Sequence, residues 1–371
     1  MRDVLAKLGE WWDKGEAVAL ATVVGTYSSA PRQPGASMLV GPAGEAVGSV
    51  SGVCVEGAVY ELGEQVLADG RPHLQRYGVS DDDAFAVGLT CGGIIDIFVE
   101  KVTPETFEQL GQVAEAVKAE SPVAVATVVE GPAERLGKRL IVWPEHTDGG
   151  TGSSRLDDAI RDDARGLLDA GRNAMLHYGT DGQRRGEGLA VFVESFAPPP
   201  RMIVFGAIDF AAAVAKIGSF LGYRVTVCDA RPVFATSSRF PGANEVVVEW
   251  PHRYLKAEAE AGRIDRRTAL CVLTHDPKFD VPLLEVALRL PEVAYIGAMG
   301  SRRTHDDRIE RLRERGLTDD EIGRMSSPIG LDLGARTPEE TAVSIAAEMI
   351  ALHWGGAGRR LAEREGPIHT S

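Results

Sequence analysis

The sequence predicts an α/β protein in which an N-terminal duplicated α+β domain precedes a C-terminal Rossmann-like, doubly wound parallel sheet. Three observations carry this expectation. Ala197-Pro198-Pro199-Pro200 can continue neither a helix nor a central strand, so it reads as a stiff linker. The chain before it contains an internal repeat. The chain after it alternates short apolar strands with helical stretches, the pattern of right-handed βα crossovers.

In the first part, residues 17–24 match 122–129, residues 65–71 resemble 166–172, and Phe98 to Glu100 resembles Phe192 to Glu194. The offsets fall from 105 to 101 to 94, as two copies with loops of unequal length would produce. Each copy reads strand, loop, strand, helix, strand. The N-terminal domain is therefore expected over 1–196, with repeats over 17–100 and 122–196, and the linker over 197–200.

The second part opens with a strand from Arg201 to Phe205 and a helical stretch from Gly206 to Leu221, closed by Gly222. Strands are expected over 224–229, 245–250, 269–274 and 293–297. The last helix starts at Thr337-Pro338-Glu339-Glu340, where Thr337 is the N-cap, Pro338 sits in the first turn and Glu340 completes a capping box. It runs to about His353, which bounds the domain at 201–355 and leaves an Arg/Glu-rich tail, 356–371, expected to be mobile.

Apolar residues make up 44% of the chain and charged residues 25%, a balance that supplies a sizeable core and excludes a disordered chain. The net charge of −14 disfavours nucleic acid and anionic lipid as general partners. No apolar run reaches the roughly 18 residues of a membrane span. The first residues, with Trp11-Trp12 and several acids, do not read as an export signal. Cys54, Cys91, Cys228 and Cys271 stand far apart, so zinc-finger and iron–sulfur ligand sets are excluded and no metal site is expected. The expected compartment is the reducing cytoplasm, and the expected state a homodimer.

Several segments could carry chemistry. Gly206-Ala207-Ile208-Asp209-Phe210-Ala211 follows the dinucleotide pattern of glycine, glycine, then glycine or alanine, and Asp229 stands where an acid binds ribose hydroxyls. Ile208, however, replaces the middle glycine and would obstruct a pyrophosphate, which weakens NAD(P) as a ligand. Ligands of such sheets bind beyond the carboxyl ends of the strands. His275 follows one strand there, and Gly297, Gly300, Ser301, Arg302 and Arg303 follow another as a candidate anion cradle. The alternative makes Arg302 and Arg303 solvated partners of Asp306 and Asp307, and His275 a simple strand-end residue. Residues 327–336 form a third loop.

In the first part, Cys54 follows a Gly/Ser loop at a helix start, where the macrodipole lowers a thiol pKa. Cys91 sits between Thr90 and two glycines. Both thiols are absent from the second copy, which favours sulfur or soft-metal chemistry over a purely structural role; two inert buried cysteines are the alternative. Cys228 and Cys271, inside apolar strands, read as structural. Arg32, in Pro31-Arg32-Gln33-Pro34-Gly35, either meets a phosphate or carboxylate or belongs to a structural turn.

These strings resemble a known family over nearly the whole chain. Residues 21–24, 31–35, 48–56 and 91–93 look like the XdhC/CoxI domain, while 274–277, 295–304 and 328–338 look like its Rossmann partner. The resemblance implies a maturation factor that binds molybdenum cofactor (molybdopterin), assists its sulfuration and delivers it to an apo molybdenum hydroxylase of the xanthine dehydrogenase type. It implies that Cys54 and Cys91 lie at or near the cofactor or its sulfur donor. Val53, Ile208 and Asp209 depart from the family pattern, where two glycines and a histidine are usual. Competing expectations are an NAD(P)-dependent oxidoreductase using His275 as acid/base, and a non-catalytic docking scaffold. A molybdenum hydroxylase itself is excluded, since four scattered cysteines cannot hold its iron–sulfur clusters.

Overall fold

The structure, a computed structural model, describes residues 1–27, 32–52, 55–78, 93–363 and 365. Two compact units divide these residues, one spanning Met1–Pro198 and the other beginning at Pro199 and running to Glu363. The expected α/β architecture is present, with a parallel sheet in the second unit.

The first unit starts with a 3-10 turn (Arg2–Val4) and α1 (Leu5–Asp13). There follow β1 (Val18–Tyr27), β2 (Ser37–Val40), β3 (Ala46–Gly48), α2 (Glu56–Asp69), β4 (His73–Tyr77) and β5 (Ile94–Val102). After α3 (Leu110–Lys118) the same series recurs as β6 (Val123–Glu130), β7 (Arg139–Val142), β8 (Thr147–Gly149), α4 (Ser154–Ala170), β9 (Ala174–Gly179) and β10 (Gly188–Phe196). The two antiparallel sheets have equivalent orders, β3-β2-β1-β5-β4 and β8-β7-β6-β10-β9. Each therefore has five strands where periodicity alone indicated three. The extra strands are edge strands such as Thr147–Gly149, too short or too polar to show an apolar alternation.

The long strands read as unbroken apolar runs because both of their faces are buried. Ala19, Ala21 and Val23 of β1 pack under α2, whereas Leu20 and Val24 point the other way. Val24 and Phe98 of the first sheet meet Val129, Ala190 and Phe192 of the second, so the two sheets share one interior layer.

That layer also buries charge. Glu100, opposite Leu20, and Glu194, opposite Val125, occupy equivalent register positions in the two copies. Glu100 takes Arg139 of the other copy as its cation, and both side chains are almost fully buried. Arg139 also donates to Gly137 O at 2.9 Å and Thr106 O at 3.1 Å, and lies over the Phe107 ring. Ser37, opposite Thr22, holds the register position that Arg139 holds opposite Thr127. It is too short and neutral to serve Glu194, which instead meets the Met1 ammonium at 2.5 Å. Burial raises the pKa of both carboxyls against the pull of their cations.

The second unit comprises β11 (Arg201–Phe205), α5 (Asp209–Phe220), β12 (Arg224–Asp229), β13 (Glu245–Val248) and α6 (Pro251–Glu260). It continues through β14 (Ala269–Val272), α7 (Pro277–Arg289), β15 (Tyr295–Ala298), α8 (Arg302–Glu314), α9 (Asp319–Ile322) and α10 (Pro338–Trp354). The order β13-β12-β11-β14-β15, all parallel, is the doubly wound arrangement. Met202 and Val204 pack on one face with α5 and α10; Ile203 and Phe205 pack on the other with α6, α7 and α8. The capping box at Thr337 and Glu340 forms as its spacing demands. Helix α5 starts at Asp209 rather than Gly206, because Gly206 has a positive φ and Ala207 and Ile208 complete the turn.

Replacing Arg139 with Met strands Glu100 in the interior and should cost about 3–5 kcal/mol. Equilibrium denaturation will show this loss growing as pH rises through the ordinary carboxylate range. The buried acid then holds its proton more tightly than the unfolded one does, so stability falls with deprotonation.

Candidate functional site

The carboxyl ends of β14 and β15 and the turn after α9 are tied together by one buried arginine. Arg308, on the inner face of α8, donates to Asp280 Oδ2 at 3.0 Å, Met299 O at 2.7 Å and Ser327 Oγ at 3.0 Å. Both charged side chains are about 95% buried. Thr274, just past β14, donates its hydroxyl to the other oxygen of Asp280. Burial raises the Asp280 pKa, and the Thr274 and Arg308 contacts oppose that rise. The network joins the loops after residues 274, 299 and 327, which are the three segments expected to converge. Asp280 stands just behind His275 in the first of these segments, whereas Arg308 was not among the expected site residues. The only sequence signal was an acid inside the apolar run Phe279 to Leu284.

What this network leaves at the surface is polar and cationic. Ser301 caps α8, accepting from Thr304 N at 3.2 Å, and Arg302 and Arg303 occupy the exposed first turn. Among the described residues no ion pair engages either arginine, so the expected alternative of pairing with Asp306 and Asp307 is not formed. Gly300 lets the chain pass against Thr304, where a Cβ would lie 3.0 Å from that side chain. His275 is exposed at the end of the adjacent strand, next to Asp276, which caps α7. An exposed helix start with two unpaired guanidinium groups can hold a phosphate monoester through backbone N–H groups and charge.

The remaining predicted residues of this unit have internal partners. A Cβ on Gly206 would press on Thr274, so this glycine allows β11 and β14 to end side by side. Ala211 is fully buried on the inner face of α5. Gly297 lies inside β15, with Ile329 and Tyr295 filling the space of its missing side chain. Asp229 is buried, and it accepts from Ala207 N at 2.6 Å, Arg231 N at 2.8 Å and the Arg231 guanidinium at 2.9–3.0 Å. Burial would raise its pKa, but these donors hold it below the usual carboxylate range. Both oxygens are occupied, and the acid braces the glycine turn. Ile208 is half-buried against the same core and serves as the N-cap position of α5.

In the first unit, Cys54 and Cys91 lie outside the described residues. The described residues that flank them are held by polar contacts of their own. Glu56, in the first turn of α2, accepts from Ser49 Oγ at 2.7 Å, Ser51 Oγ at 2.6 Å, Ser51 N at 3.0 Å and Gly52 N at 2.8 Å. Burial alone would raise this carboxyl; the hydroxyl and amide donors instead bring it down to about 2. The second copy repeats the clamp, with Asp157 accepting from Thr151 N at 2.8 Å and Thr151 Oγ1 at 2.6 Å. Sequence reasoning missed Glu56, although a Gly/Ser loop followed by an acid in the first helical turn was the available signal. On the flank of Cys91, Gly78 has a positive φ and lies against Gly93 O, where a Cβ would not fit. Arg32 is half-buried, and no ion pair of the described residues engages it. Its turn is pinned by Asn173, which donates to Pro34 O at 2.8 Å. Cys228 and Cys271 are free and buried, as expected; burial pushes the Cys271 thiol up to about 12 and raises Cys228 as well.

The chain matches the family model described as the XdhC and CoxI family over residues 11–78 and 116–179, and the XdhC Rossmann domain over 202–349. It is 31% identical to a Bacillus subtilis protein described as a probable xanthine dehydrogenase subunit, over 91% of this chain and 93% of that one. It is 25% identical to the molybdenum cofactor insertion chaperone PaoD of Escherichia coli, over 91% and 84% of the two chains. A crystal structure described as a xanthine dehydrogenase from Bacillus halodurans superposes with a TM-score of 0.66 at 24% identity, covering 97% of both chains, and supports the fold alone.

Two measurements check the site's construction. Replacing Arg308 with Met should destabilise by about 3–5 kcal/mol, and adding Asp280→Leu should recover part of that loss, because the second change removes the stranded charge. Glu56→Gln should cost about 1–3 kcal/mol at neutral pH. In acid unfolding the gap between wild type and this variant should close as pH falls from the ordinary carboxylate range toward 2, where the native carboxylate itself protonates.

Proposed function

The chain belongs to the XdhC and CoxI family, and from that membership we propose that it is an accessory factor that carries molybdenum cofactor to a xanthine dehydrogenase-type hydroxylase. The cofactor is cargo in this reading. Its metal arrives held by the pterin's own dithiolene, so this reading asks for no cluster of metal-ligating side chains.

The observation that carries the reading is the exposed start of α8. Ser301, Arg302 and Arg303 offer a hydroxyl, backbone N–H groups and two unpaired cations to one anion, matching the phosphate end of the cargo. Gly300 brings the backbone close, and the Arg308–Asp280 pair keeps the turn rigid beneath it. His275 borders the same end of the sheet and supplies an imidazole for hydrogen bonding. Asp229 and Gly206 hold the neighbouring turn in shape, and Arg32 is a further anion contact in the first unit.

Cys54 and Cys91 are the residues we assign to the sulfur chemistry. The cargo's sulfuration requires a sulfur donor, and a thiol is the group that accepts and passes on sulfane sulfur. The acidic surface and buried neutral thiols suit a reducing cytoplasm. A dinucleotide-dependent oxidoreductase is less well supported, because Asp229 has both oxygens engaged and Ile208 stands at the turn.

Titration of the purified protein with molybdenum cofactor, followed by fluorescence, should give saturable binding that weakens at least tenfold in the Arg302→Ala, Arg303→Ala double variant. Cys54→Ala and Cys91→Ala should leave binding largely intact and lower activation of a sulfur-deficient apo-hydroxylase. Absence of binding, together with full activation by both cysteine variants, rejects the reading.

A further inference from the structure

We propose that α10 carries a self-complementary docking face on which a second copy of this chain binds, helix against antiparallel helix. The observation is a helix apolar on both sides. Its inner side, Ala342, Ile345, Ala346 and Met349, is buried, and most of it joins the core that includes α5. Its outer side presents Val343, Ala347, Ile350 and Trp354, spaced as one stripe of a helix, with Val343 50%, Ile350 47% and Trp354 67% exposed. A helix that is apolar all round is one buried on all sides in its working state. Isolated exposed apolar residues need no explanation, but a four-residue stripe over three turns marks an interaction surface.

The occupant follows from the ends of the stripe. The first turn is acidic, with Glu339 and Glu340 exposed. The last turn carries His353, and Arg359 and Arg360 follow it, all exposed, with Arg360 also reaching Glu363 at 3.4 Å. Two copies laid antiparallel about a twofold axis between Ala347 and Ile350 set Val343 against Trp354 of the second copy and Ala347 against its Ile350. The same register brings each acidic end toward the basic end of the other helix, and opposes the helix dipoles favourably. A parallel pairing would place acid on acid and base on base. An isologous contact of this kind closes on itself and stops at two copies.

Light scattering of the full chain across a wide range of concentration should show a dimer. Ile350→Glu should weaken dimerisation at least a hundredfold, about 2.7 kcal/mol at 1.36 kcal/mol per decade, with unchanged far-UV circular dichroism. An Ala347→Cys, Ile350→Cys variant should cross-link as a dimer under mild oxidation, and this readout stands even if the glutamate variant fails to fold. A wild type that is monomeric throughout overturns the proposal. So does a dimer that keeps its affinity in Ile350→Glu and gives no cross-link. A monomer that needs the stripe to bind an apo-hydroxylase also overturns it, and assigns the face to that client instead.

Discussion

The interaction on which the second unit depends is the buried pair between Arg308 and Asp280. Three loops meet there, two from strand ends and one from the turn after α9, and loops without a common anchor would wander independently. A buried guanidinium has five donors to satisfy, and it finds partners only if the strand end, the helix-capping turn and the Ser327 segment all stand in place. The pair adds little to net stability relative to a hydrophobic substitute, but it makes the correct arrangement far more favourable than any other. Specificity of shape, rather than strength, is its contribution.

The first unit applies the same rule twice with different parts. Its copies carry acids at one register position, Glu100 and Glu194, and each acid finds a cation by a different route. Its helix starts carry Glu56 and Asp157, each gathering the preceding loop by accepting hydroxyl and amide hydrogens. Duplication has kept the scaffold and let the loops diverge. Only the first copy's sequence places a thiol, Cys54, within two positions of its clamp, and the second copy has no cysteine at all.

The residues that could be read from sequence were those whose environment is simple. Val18 to Val24 and its counterpart are buried on both faces and so look like strands in any context. Thr337, Pro338 and Glu340 form a local motif that needs nothing from the rest of the chain. Other features depend on distant partners and left no local trace. Arg308 looks like one of many solvated arginines in a helix rich in them, and only Asp280, 28 positions earlier, makes it a core residue. Asp229 occupies the place where a dinucleotide enzyme keeps its ribose acid, but Arg231 two residues later and the Ala207 amide turn it inward. Edge strands such as Ala46–Gly48 borrow their structure from a neighbour and show no periodicity of their own.

Glu56 has an electrostatic side effect. Because its donors keep it ionised down to strongly acidic pH, a permanent negative charge stands two positions along the chain from Cys54. The hydroxyl and amide hydrogens that surround Glu56 bind an anion rather than a neutral acid, and such bonds are the stronger kind. The clamp that shapes the loop therefore keeps its grip through any moderately acidic medium and lets go only near pH 2.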